Sequence, residues 1–106
     1  MKLNQIQALV AIAETGSIRA AAARVGVTQP ALSKSLQSLE EELSVSLVHR
    51  TSRGVNLTSF GQAMVTRGRG IAQEVDRLRE QIEQMRGALQ GTITLAVSPS
   101  PSVILL

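Results

Sequence analysis

The chain has 106 residues, 43% of them hydrophobic, with one aromatic (Phe60), no cysteine and a net charge of +3. That length holds one small domain, or one domain with an extension. The missing thiols exclude disulfides and thiolate metal sites, and the core must be almost wholly aliphatic. The charge is uneven: residues 1–70 carry eight cations and four anions, net +4, and residues 71–106 carry three cations and four anions, net −1. A basic balance in the N-terminal part suits a polyanion partner. Asn4, Gln5, Gln7 and Glu14 interrupt the apolar run that a signal peptide requires. No stretch reaches the roughly 20 apolar residues that span a bilayer. The expectation is a soluble, cytoplasmic protein with no membrane partner.

In chain order, Leu3, Ile6, Leu9, Val10 and Ala13 recur at helical spacing, and Gly16 follows as a stop. Ser17 is placed to cap a second helix, Ile18 to Val25. Its four consecutive alanines, Ala20 to Ala23, have high helix propensity and little bulk, so a neighbouring helix can come close. Gly26 supplies a sharp turn without a Cβ penalty, with Val27 as a plug for that turn. Thr28 caps a third helix, and Pro30 sits in its first turn, where a missing N–H is tolerated. Leu32, Leu36, Leu39 and Leu43 form the buried stripe of that helix. Gln29, Pro30, Ser33, Lys34 and Gln37 fall on the other side, near its start. This polar face, preceded by an alanine-rich helix and a glycine turn, has the form of a helix-turn-helix.

Beyond Leu43, Ser46 to Arg50 and Gly54 to Leu57 read as two short strands joined through Thr51, Ser52 and Arg53. After three helices, this small hairpin with an arginine at its tip is a wing. Thr58 then caps a long helix from Ser59 to about Leu89. Ile71, Val75, Leu78, Ile82, Met85 and Leu89 step by 4, 3, 4, 3 and 4, a heptad seam flanked by charges. At 1.5 Å per residue this helix is about 46 Å long, more than the small helical unit can cover. The seam therefore needs a second helix. Its length and strict spacing favour dimerisation over packing on another domain. Gly68 and Gly70 mark a kink or a close helix contact. Gly91 is expected to end the helix. Thr92 to Val97 reads as a strand with nothing left to pair with, as if a second domain began there and the chain were a fragment.

Lys34 and Gln29 are the best candidates for base-edge contacts, since both reach a major groove from the N-terminal half of an inserted helix. Ser33, Thr28 and Thr51 are short donors of the kind that contact phosphate. Arg53 suits a minor groove or phosphate. Arg50 either joins the DNA face or pairs with Glu40 or Glu41 to hold the wing. Glu40, Glu41 and Glu42 point in different directions along a helix, so they read as a solvated face and not as a metal or acid site. His49 has no partner suited to catalysis, and the serines lack a nucleophile-elbow context. No catalytic, metal or cofactor site is expected. With so few aromatics to stack bases, duplex DNA is favoured over single strands or RNA.

The residues Ala11 to Ser17, Ala20 to Ala22, Thr28 to Ser33, Leu39, Glu40, Leu43, Leu47, Arg50, Leu57, Thr58 and Gly61 closely resemble the N-terminal part of LysR-type transcriptional regulators. The resemblance covers about residues 3–90. It implies a mainly α fold: a winged helix-turn-helix of three helices plus a small β-hairpin wing, followed by a long linker helix that pairs antiparallel with its partner. It also implies dimers that often form tetramers on an interrupted palindrome, and a small-molecule effector sensed by a C-terminal domain beyond this chain. Gln29, Pro30, Ser33 and Lys34 match positions that face DNA in the family, and Arg53 matches the wing; Ala31 and Gln37 are further DNA-binding candidates on the same helix. Arg19 stands where the family often has a small hydroxyl residue, giving room for an extra phosphate contact. Ile18, Ser44 and Val48 replace the usual Phe, Gly and Phe. The resulting division is a DNA-binding domain over 1–58, a dimerisation helix over 59–90, and over 91–106 the first strand of an effector-binding domain. The competing reading is a coiled-coil module whose helical head binds protein; a weaker one is a hydrolase using His49 and a serine.

Overall fold

The structure, a computed structural model, describes residues 1–94. Its elements are α1 (Leu3–Thr15), α2 (Ile18–Val25), α3 (Gln29–Leu43), β1 (Val48–Thr51), β2 (Gly54–Leu57) and α4 (Ser59–Thr94). Residues Met1–Ala72 form one compact unit, which contains the three short helices, the hairpin and the start of α4.

Each short helix begins and ends on a local signal. Ser17 Oγ accepts from Ala20 N at 3.1 Å, and Thr28 Oγ1 accepts from Ala31 N at 3.2 Å, so both hydroxyls satisfy a donor that a helix start leaves unpaired. Gly26 adopts the left-handed conformation, φ 79°, while its own N–H and that of Val27 close back onto α2. An L side chain resists that conformation, which is why glycine makes this turn. The same left-handed closure ends α3, but there the residue is Ser44, φ 58°.

The core is aliphatic, as the composition requires. Leu9, Ile12, Leu32, Leu39, Leu47 and Val65 are its largest fully buried side chains. They come from α1, α3, the α3–β1 connection and α4, and Ala21 and Ala22 of α2 complete the cluster. Burying one such leucine contributes about 1.5–3 kcal/mol. Gln5 is the buried polar exception: its Oε1 accepts from Lys2 N at 2.7 Å and its Nε2 donates to Ser35 O at 3.3 Å. It thereby caps α1 and ties it to α3.

The start of α4 packs against this core through two glycines. A Cβ on Gly61 would lie 2.0 Å from Leu47 O, and one on Gly68 would lie 2.9 Å from Ile6 Cγ2. Gly68 therefore marks a close helix contact, whereas nothing lies within 4 Å of a Cβ on Gly70. Thr58 caps this helix as expected: its Oγ1 accepts from Gly61 N at 3.1 Å and donates to Ser46 O at 2.6 Å.

Three expectations change. Val27 does not plug the turn; it is 45% exposed, because the alanines of α2 and the leucine stripe of α3 already fill the space beneath. The first strand starts at Val48 instead of Ser46, since the backbone N–H groups of Leu47 and Val48 are taken by the Glu40 carboxylate at 2.7 and 3.3 Å. Gly91 does not end α4, which runs on to Thr94. One glycine costs about 1 kcal/mol relative to alanine, too little to stop a helix that is already propagating. Thr92 to Thr94 are therefore helical, and the rest of the expected strand lies outside the described residues.

Candidate nucleic-acid interface

Helix α3 separates its two faces sharply. Leu32, Leu36 and Leu39 are 2%, 3% and 0% exposed, while Gln29, Pro30, Ala31, Lys34 and Gln37 are exposed and Ser33 is half-buried. At 100° per residue, Pro30, Lys34 and Gln37 lie opposite the leucine stripe. The core thus fixes which side chains α3 offers outward, and the Thr28 cap fixes where the helix begins.

The hairpin is antiparallel, with Val48 opposite Leu57, His49 opposite Asn56, Arg50 opposite Val55 and Thr51 opposite Gly54. Ser52 and Arg53 form its tip. Thr51 organises that tip: its Oγ1 donates to Gly54 O at 3.3 Å and accepts from Arg53 N at 3.2 Å. Val48, Val55 and Leu57 pack against the core, leaving His49, Arg50, Thr51 and Arg53 exposed.

Wing and helix meet in two places. The guanidinium of Arg50 donates from Nη2 to Ser33 Oγ at 3.4 Å. It does not pair with Glu40 or Glu41. Glu40 instead accepts the two backbone N–H groups noted above, so a carboxylate expected on a solvated face anchors the chain leading into the wing. Both Glu40 and Gln5 escape sequence reasoning, because their partners lie at Leu47, Val48 and Ser35 and leave no local pattern.

Charge is arranged to leave this surface positive. Glu14 pairs with Arg24 at 2.8 Å and lies 3.7 Å from Arg69. Glu42 pairs with the N-terminal ammonium at 2.6 Å. On α4, Glu74 pairs with Arg77 at 2.9 Å, and Glu83 with Arg86. Among the described residues Arg19, Lys34, Arg50 and Arg53 enter no ion pair. Lys2, Arg67 and Arg79 are also without one. Among the described residues there is no cluster of His, Cys, Asp and Glu able to hold a metal, and His49 stands exposed on β1. No helix among them is long and apolar enough to cross a membrane.

On α4 the seam residues Ile71, Leu78, Ile82 and Met85 are 45%, 58%, 53% and 57% exposed. Leu89 is exposed too, and Val75 is half-buried. Apolar side chains so exposed at heptad spacing have the form of a helix–helix interface.

Known proteins share this arrangement. The chain is 39% identical over 98 residues to an uncharacterized HTH-type transcriptional regulator in the ibpB-leuC intergenic region of Azotobacter vinelandii, covering 92% of this chain and 68% of that protein. It is 36% identical over 106 residues to the DNA-binding transcriptional dual regulator OxyR of Escherichia coli, covering all of this chain and 35% of OxyR. A crystal structure of a CbnR_DBD–DNA complex superposes with a TM-score of 0.69 at 34% identity, covering 81% of this chain and 99% of that one. Apart from the Azotobacter protein, the chain spans about a third of the length of the curated relatives it matches. Residues 3–62 match the description "Bacterial regulatory helix-turn-helix protein, lysR family", and with more than half of its length so matched, the chain belongs to that family.

Proposed function

We propose that this chain is the sequence-reading part of a transcriptional regulator, binding duplex DNA and performing no catalysis. The observation that carries the reading is the start of α3, where Gln29, Pro30, Ala31, Lys34 and Gln37 are exposed, Ser33 is half-buried, and Arg50, which enters no ion pair, joins Ser33. A helix of this kind enters a major groove with its N-terminal residues on base edges. Lys34 and Gln29 reach bases. Thr28, Thr51 and Arg19 serve phosphates, and Arg53 at the wing tip serves phosphate or a minor groove. Residues 1–58 act as the reader and 59–90 as a dimerisation helix through Ile71, Val75, Leu78, Ile82, Met85 and Leu89. Two copies then address the two halves of an interrupted palindrome, as a dimer or a dimer of dimers. Effector control belongs to the regulator as a whole. A DNA target in a bacterial regulator supports a cytoplasmic location.

Titration against duplex DNA at several salt concentrations tests this reading. Affinity is expected to fall steeply as salt rises, because each phosphate contact releases counterions. Absent or salt-independent binding would leave a protein-binding coiled-coil module as the better description. Lys34→Ala is expected to weaken preferred sites by about tenfold while changing random duplex little. A uniform loss would make Lys34 a phosphate contact instead.

A further inference from the structure

Ser33 and Arg50 belong to different elements, α3 and β1, and the 3.4 Å bond between them has a fixed direction. Arginine offers five N–H donors and no acceptor, while a serine hydroxyl has one proton and two lone pairs. Ser33 therefore accepts, and its proton remains. Hydroxyls in helices commonly give that proton to the carbonyl four residues back. Thr15 and Thr66 do so, to Ala11 O at 2.8 Å and to Gln62 O at 2.9 Å. Among the described residues the Ser33 hydroxyl has no such bond; its one partner is Arg50. Leu32 and Leu36 are buried on the inner side of α3, so the open direction for that proton is outward, across the surface proposed to meet DNA.

We infer that Arg50 is a positioning residue for Ser33: by donating to one lone pair it fixes the rotation of the hydroxyl, so that the proton and the remaining lone pair hold set directions towards a base edge in the major groove. The inference rests on the duplex reading above and narrows it. A hydroxyl left free to rotate addresses donors and acceptors alike. One held by a guanidinium keeps its proton and its second lone pair in set directions, so it matches one arrangement of base-edge groups: acceptors such as purine N7, guanine O6 and thymine O4 for the proton, or an amino donor for the lone pair. Cytosine presents only its N4 amino donor there. The base pair beneath Ser33 is therefore the one whose preference depends on Arg50. A wing residue that touches no base thus sets a preference read by the helix.

The test begins with duplexes selected from a random pool by the whole chain. Each position is then varied in turn, and affinities are measured for the unaltered chain, Ser33→Ala, Arg50→Ala and the double variant. Both positions are at the surface, and unchanged unfolding midpoints verify that the variants fold. Both single variants are expected to flatten the preference at one and the same base pair by about tenfold, leaving the others intact. The double variant should be no flatter there than either single. A loss from Arg50→Ala by one common factor on every duplex, with the salt slope lower by about one, would overturn the inference and make Arg50 an independent phosphate contact. Loss of preference at two different base pairs would also overturn it. If the unaltered chain selects no duplex, the duplex reading itself fails and the inference falls with it.

Discussion

Ser44 illustrates how one side chain departs from what its backbone asks for. It is the only non-glycine with positive φ among the described residues, in a closing turn that elsewhere in this chain uses Gly16 and Gly26. The left-handed conformation costs an L residue about 1–2 kcal/mol, partly offset by the greater freedom that glycine has in the unfolded chain. Ser44→Gly is therefore expected to stabilise the protein by about 0.5–1 kcal/mol, read as a higher urea midpoint. A lower midpoint would mean that the serine side chain contributes something the turn does not show. The replacement of the glycine usual there in the resembling family was legible, but the left-handed turn that Ser44 adopts was not. Glu40 is the opposite case. Its sequence neighbours, Glu41 and Glu42, suggest a solvated acidic run, and only the return of the chain at Leu47 and Val48 gives that carboxylate two backbone N–H groups to hold.

At the scale of elements, the helices were legible because each carries its own start, stop and period. Ser17 and Thr28 cap, Gly16 and Gly26 stop, and Leu32, Leu36 and Leu39 of the α3 stripe are buried where their spacing puts them, with Leu43 at the helix end half-buried. The hairpin is legible in outline, but the sequence pattern starts its first strand two residues early, because the capture of Leu47 and Val48 by Glu40 is not local. Helix α4 holds glycines of opposite character. Gly61 faces Leu47 O so closely that a methyl group cannot fit, whereas Gly70 faces open space. Gly61→Ala is expected to cost about 3 kcal/mol, since backbone must move. Gly70→Ala should gain about 0.5–1 kcal/mol from helix propensity alone. Thermal unfolding of the two variants measures both, and equal effects would show that the α4 contact with Leu47 yields to a methyl group.

For the whole molecule, the proposed second copy of the chain is the consequence of an apolar seam that stays exposed. Leu78→Asp would place a carboxylate among apolar side chains, where an unpaired charge is strongly disfavoured. It is expected to weaken self-association at least about a hundredfold, seen as monomer by sedimentation with the unfolding of residues 1–72 unchanged. A dimer of undiminished stability would place the interface elsewhere.

What the sequence determined by itself is the local grammar: three helices and a wing, the stripe of leucines, and the polar face of α3. These depend on spacing, capping and turn chemistry between near neighbours in the chain. Tertiary structure alone decided which cations stay unpaired, that Arg50 turns to Ser33 and away from Glu40, that Gln5 joins α1 to α3, and that Val27 lies outside. Each of those outcomes depends on residues far apart in sequence competing for the same donor, acceptor or space. No local period records the result of that competition.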